Sequence, residues 1–182
     1  NFAFNINGIV YFDGGSNDRL WAYDSSNDTA WRLNDSVHWV GEYMAYVYGD
    51  TMYFSAHTTA VGRELFGYNT SNETMWLISD IRTGGSSSSA GQKMHALVGD
   101  TLLFRAYSSS LSWGLHAYNT TNQTYWEVGG LPGFTSFGYY QSSPLLNEVI
   151  GNTVYFAALT NTGHVEVWAY STSNHSTWMI YD

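Results

Sequence analysis

The chain has 182 residues, of which only 12% are charged while Tyr, Trp and Phe number 15, 8 and 9; it is long enough for one domain with a real core, and its aromatic content favours sheets. A net charge of -9, with six Lys and Arg in all, leaves no basic stripe to neutralise phosphates, which argues against nucleic-acid binding. Cysteine is absent, ruling out disulfides and thiolate metal sites, and no run reaches the ~18 apolar residues of a membrane helix.

The chain opens at Asn1 without a Met or a charged-then-apolar leader, as a processed protein, an excised fragment or a trimmed chain would. Asn1 to Ile6 reads as a first strand and Gly8-Ile9-Val10-Tyr11-Phe12 as an apolar second one. Asp13 to Asp18 follows as a turn. Oxygens of Asp13, Asn17 and Asp18 would also suit calcium, a hard cation, although the later bidentate Glu of an EF-hand is missing. Then comes WAYDSSNDTAW, Trp21 to Trp31, which reads as a third and a fourth strand around an Asn-rich turn.

The same succession returns three times. Its aromatic string recurs as FGYNTSNETMW from Phe66, HAYNTTNQTYW from His116 and WAYSTSNHSTW from Trp168. Upstream of each stands a Gly-Asp or Gly-Asn pair leading an apolar run: Gly49-Asp50 before Met52 to Phe54, Gly99-Asp100 before Leu102 to Phe104, Gly151-Asn152 before Val154 to Phe156. Glycine supplies positive φ cheaply, so each pair predicts a hairpin turn. The runs themselves predict strands buried on both faces. In the third unit the strands are expected over Met94 to Val98, Thr101 to Ala106, Gly114 to Tyr118 and Thr124 to Val128. Asp80 to Gln92 and Gly129 to Ser143, rich in Gly and Ser, read as crossings between units.

Four four-stranded units, with a period near 45 residues and repeats of roughly 45–52, match the blade size of β-propellers. The expected fold is therefore an all-β, four-bladed propeller forming a single domain over 1–182, with repeats at about 1–43, 44–93, 94–145 and 146–182. A duplicated β-sandwich and an open β-solenoid are the alternatives.

Gly62-Arg63-Glu64-Leu65-Phe66 and Leu77-Ile78-Ser79-Asp80-Ile81 resemble the Gly-Arg-Glu-Leu-Trp and Leu-Val-Lys-Asp-Ile runs of ELWxxDGT-type repeat proteins of bacteria and archaea. The resemblance spans the four units and is clearest over 50–128. That family's Asp-Gly-Thr turn is replaced here by Asn69 to Thr74. The resemblance implies a secreted or surface location and a propeller-like array, and it brings no catalytic residues with it.

Asn-X-Ser/Thr glycosylation signals occur at Asn27, Asn34, Asn69, Asn72, Asn119, Asn122 and Asn174. Asn27, Asn72, Asn122 and Asn174 share one place in the repeat, the loop between the third and fourth strands, where a sugar on a propeller would project from the rim. Duplication of an ancestral turn would copy the pattern as well. N-linked sugar points to the cell exterior.

No catalytic pattern emerges. YDSSNDTAW resembles the Asp-box turn of sialidase-like propellers, but Trp31 follows Asp24 by seven residues where that box has five, and Asn69, Asn119 and Ser171 replace the acid elsewhere. Arg19, Arg32, Arg63, Arg82 and Arg105 fall at differing repeat positions, and His38, His57, His95, His116, His164 and His175 show no metal-ligand spacing. The expected function is a non-enzymatic, extracellular or cell-surface glycoprotein, structural or adhesive, without a cofactor and without nucleic-acid or membrane-inserted partners. Neither end carries a strand left over to complete another blade, so self-association into a filament or layer is expected. A lectin-like module binding surface glycans, or a sialidase or glycosidase, are the alternatives.

Overall fold

A computed structural model describes residues 2–42, 44–92, 95–110, 112–129, 131, 134–136, 147–160 and 164–181. The chain divides into two compact units, Asn1–Ala90 and Gly91–Asp182. In the first, β1 (Ala3–Ile6), β2 (Ile9–Gly14), β3 (Arg19–Asp24) and β4 (Thr29–Arg32) form one antiparallel sheet in chain order, and β5 (Ala45–Tyr48), β6 (Thr51–Thr58), β7 (Gly62–Asn69) and β8 (Thr74–Ser79) form another. Leu20, Ala22 and Tyr11 of the first sheet pack with Met52, Phe54 and Tyr68 of the second, and Val37 and Val40 from the connection complete the core.

The second unit repeats the plan. Its first sheet holds β9 (His95–Val98), β10 (Thr101–Ser108), β11 (Ser112–Asn119) and β12 (Tyr125–Glu127). Its second holds β13 (Phe134–Ser136), β14 (Asn147–Ile150), β15 (Thr153–Thr160), β16 (Val165–Ser171) and β17 (Thr177–Tyr181). Leu103, Leu115 and Val128 meet Val154, Phe156 and Tyr170 in the core. Met94 and most of 129–143 lie outside the described residues. Within that stretch, read from sequence as a crossing, Phe134–Ser136 is a fifth strand of the last sheet. The reason is the length of β15: β14 pairs only with Thr153 to Phe156, and β13 takes up the backbone groups of Leu159 and Thr160 farther along.

The expected turns form, in two versions. Asn7-Gly8 joins β1 to β2 with both residues at positive φ, 53° and 86°, as a type I′ turn requires. Gly49, Gly99 and Gly151 carry positive φ alone ahead of Asp50, Asp100 and Asn152, as in type II′. Burial on both faces is met in β6, where Met52, Tyr53 and Phe54 are buried, and in β10, where Leu102, Leu103 and Phe104 are buried. In β2 and β15 it is partial, because Val10, Phe12 and Tyr155 are only half-buried.

The recurrent tryptophans agree in register but not in exposure. Trp31, Trp76, Trp126 and Trp178 each face a small residue across the ladder: Ala22, Gly67, Ala117 and Ala169. A flat indole needs that small partner, and at Gly67 the Trp76 ring occupies the space a Cβ would take. Trp31 and Trp178 are exposed, whereas Trp76 and Trp126 are half-buried. Trp126 donates its Nε1 hydrogen to the Tyr170 hydroxyl at 3.2 Å, and that hydroxyl also meets His175 Nδ1 at 2.9 Å. Tyr170→Phe should therefore cost about 1–2 kcal/mol, read from the denaturant midpoint, because it leaves the half-buried indole N–H without its acceptor.

Candidate functional site

The equivalent glycosylation signals fold into one turn, four times. Asn27, Asn72, Asn122 and Asn174 are exposed, and each is followed by a residue at positive φ between 55° and 58°: Asp28, Glu73, Gln123 and His175. In every copy the asparagine Oδ1 accepts the backbone N–H two residues on, at 3.1 Å, and the hydroxyl of that same Thr or Ser. This turn closes the β3–β4 connection and its three counterparts with bonds made inside the loop. The carboxamide oxygen is thus engaged within the loop, and the nitrogen is the atom that N-glycosylation modifies. Asn27 additionally ties its Nδ2 to Asp24 at 3.1 Å.

Asn69, Asn119 and Asn34 occupy different surroundings. All three are half-buried, and each Oδ1 caps the backbone N–H two residues on, at 2.9, 2.9 and 2.7 Å. The hydroxyls that complete the signals at Asn69 and Asn119 are engaged elsewhere: Ser71 donates to Asp50 Oδ2 at 2.8 Å and Thr121 to Asp100 Oδ2 at 2.9 Å. Thr70, Thr120 and Thr172 donate their backbone N–H to the carbonyls of Asp50, Asp100 and Asn152. In these three sheets the Gly-Asp or Gly-Asn turn and the glycosylation-signal loop are thus stitched together at one end, which explains why the two landmarks recur there as a pair.

The remaining candidates do not converge. In the calcium-like turn, the Asp13 carboxylate accepts the N–H of Phe2 at 2.6 Å, and the carbonyls of Asn17 and Asp18 accept the N–H groups of Trp39 and Val40. Asp13, on β2, is buried, whereas Asn17 and Asp18 are exposed. Three of the arginines clasp local carbonyls: Arg19 those of Asp35 and Val37, Arg82 that of Ser87, and Arg105 that of Gln92. Arg32 pairs with Asp35 and Arg63 with Glu42. His116 is buried between Phe104 and Tyr125, and burial pushes its imidazole down to about 4.

Two groupings escape the sequence reading. The first joins both halves of the family resemblance. Glu64 on β7 is fully buried, and its carboxylate accepts the backbone N–H groups of Ile81, Arg82 and Ser88 at 3.3, 3.3 and 3.2 Å. Glu64 therefore clasps the loop that begins at Asp80-Ile81. Burial pushes its carboxyl up to about 7, against the hydrogen bonds from Ser88, Arg82 and Ile81, which favour the anion.

The second grouping surrounds Trp39. Val37 and Val40 are buried while Trp39 between them is 39% exposed, with its backbone at φ 48°. His38 and His57 exchange backbone hydrogen bonds at 2.9 and 2.8 Å, their rings stack 6.0 Å apart, and His57 meets the indole edge at 4.8 Å. Arg63, opposite His57 in the β6–β7 ladder, brings its guanidinium carbon to 5.4 Å from the indole centroid while paired with Glu42. In the second unit the corresponding strand ends carry Tyr107 and Trp113, with Arg105 stacked 3.4 Å over the Trp113 ring. Positions 38 and 39 fall outside the repeated strings, so the periodicity gives no signal for them.

No family model and no curated protein matches the chain. Among solved structures it is similar to TolB from Acinetobacter baumannii, with 11% identity, a TM-score of 0.53, and 96% of this chain on 41% of that one. It is similar to one described in a structural and mechanistic analysis of two prolyl endopeptidases, with 15% identity, a TM-score of 0.59, and 94% of this chain on 24% of that one. An oligogalacturonate lyase in complex with manganese matches with 12% identity, a TM-score of 0.53, and 90% of this chain on 42% of that one. The chain spans less than half the length of each of these propeller proteins. At such identities the likeness speaks to fold alone. It decides for a β-propeller over the duplicated sandwich and the open solenoid: four antiparallel blade sheets, one per repeat.

Proposed function

We propose that this protein is a non-enzymatic, N-glycosylated extracellular or cell-surface propeller of structural or adhesive type, related to the ELWxxDGT-type repeat proteins. One observation carries the reading: Asn27, Asn72, Asn122 and Asn174 are exposed in four copies of one turn, each with its Oδ1 engaged in the loop. The kinship is supported by the contact of Glu64 with Ile81, which ties the two family-like runs into one device. The non-enzymatic reading is supported by the arginines, which hold their own loops and neighbours. Self-association is supported by the edge strand β17, where Trp178, Met179 and Ile180 are 40%, 42% and 47% exposed; apolar edge strands are templates for pairing with another copy.

Peptide mass spectrometry of native material, before and after enzymatic deglycosylation, tests this. Glycan mass is expected on the peptides holding Asn27, Asn72, Asn122 and Asn174. Four unmodified peptides would remove the claim. Light scattering of the same material should show assemblies that grow with concentration, and strictly monomeric behaviour would reject the structural role.

A further inference from the structure

Trp39 is costly where it stands. A bulky side chain at positive φ is strained by about 1–3 kcal/mol, and such strain persists only where surrounding structure over-determines it. Here the buried side chains of Val37 and Val40 and the backbone pairing of His38 with His57 pin the bend from both sides. The outcome is an indole held rigidly and 39% exposed among polar groups.

We propose that Trp39, His38, His57, Arg63 and Glu42 form a binding site for the pyranose ring of a neutral saccharide. A pyranose has a face of C–H groups and an edge of hydroxyls. The indole supplies an apolar platform for the face, and a pre-set ring lowers the ordering cost of binding. The hydroxyl edge wants mixed donors and acceptors. Nδ1 of His38 and Nδ1 of His57 are buried and have no hydrogen-bond partner among the described residues, so each imidazole gains by turning a ring nitrogen toward the sugar hydroxyls. Glu42 accepts from Arg63 and offsets its charge. An acidic sugar would have to displace Glu42, whereas vicinal hydroxyls can bond to both members of the pair. Burial, and then the charges of His38 and Arg63, push the His57 imidazole down, which keeps it neutral and able to donate and accept.

The placement keeps the site away from the glycan proposed at Asn72. His57 and Arg63 sit near the Thr58–Gly62 end of the β6–β7 ladder, and Asn69 and Thr51 at its other end, about 20 Å away along the strands. The inference does not depend on glycosylation or assembly, and unglycosylated recombinant protein tests it alone.

The probes are methyl β-glucoside, lactose and N,N′-diacetylchitobiose, with 3′-sialyllactose and digalacturonate as acidic comparators, read by saturation-transfer NMR and calorimetry. At least one neutral probe is expected to bind with Kd of about 1 mM or tighter, in preference to both acidic ones. Trp39→Gly should weaken that binding tenfold or more while the melting temperature stays the same or rises, since glycine relieves the strain. Trp31→Phe, at a similarly exposed indole, should leave it unchanged. Should Trp39→Gly fail to fold, His57→Ala is expected to show the same tenfold loss. The proposal is overturned if no neutral probe binds at about 10 mM, if the acidic probes bind more tightly, or if binding survives these substitutions at Trp39 or His57.

Discussion

Replacing Gly62 by alanine is expected to destabilise the protein by about 3 kcal/mol or more, among the largest effects of any single methyl group added to this chain. Gly62 opens β7 at φ +72°, and a Cβ there would lie 2.6 Å from the Ser86 carbonyl oxygen, 2.7 Å from its carbonyl carbon and 2.8 Å from the Gly85 oxygen. Those atoms are all backbone, so no side chain can swing aside. The left-handed conformation alone costs an alanine roughly 1–2 kcal/mol, and displacement of the 85–88 loop adds the loss of its hydrogen bonds to β7. Gly49→Ala is the control: φ is +58° there, but nothing lies within 4 Å of the added carbon. It should cost about 1 kcal/mol. Denaturant midpoints of the two variants check the difference, and equal midpoints would show that the 85–88 loop yields freely.

The stability contributed by Glu64 should fall by about 3 kcal/mol as pH rises from about 4.5 to 7. Its carboxyl titrates at about 7 in the fold against 4.5 when exposed, so the folded protein holds the extra proton across that window. Its contribution is complete below pH 4.5 and gone above 7. His116 works in the opposite sense. With its imidazole pushed from 6.5 down to about 4, it adds stability as pH rises over that interval, by a similar amount, so the whole protein shows a flattened profile. Glu64→Gln separates the two. Stability of this variant should climb steeply from pH 4 to 6.5, and the wild-type-minus-variant difference should fall by about 3 kcal/mol between pH 4.5 and 7 and level off above. A difference independent of pH between 5 and 8 would mean that the carboxyl ionises in its ordinary range.

The one-letter chain by itself determined the blade strands and their turns. Gly49-Asp50 and its counterparts specify tight turns by their own backbone preferences, and strings such as FGYNTSNETMW carry both the strand alternation and the Asn turn, so a few neighbouring residues suffice. The four glycosylation-signal turns belong to this class, since Asn72 and Thr74 bond to each other inside the loop. What the tertiary structure alone decided lies where separate segments meet. Glu64 and Ile81 stand 17 residues apart, and only folding shows that one clasps the other. The β13 strand forms because β15 outlasts β14, a matter of lengths of elements that pair at a distance. Trp39 reads as one aromatic in an unpatterned connection. Its strain, its exposure and its ring of His57, Arg63 and Glu42 arise from burying Val37 and Val40 against residues from both sheets of the first unit, and no local preference encodes that.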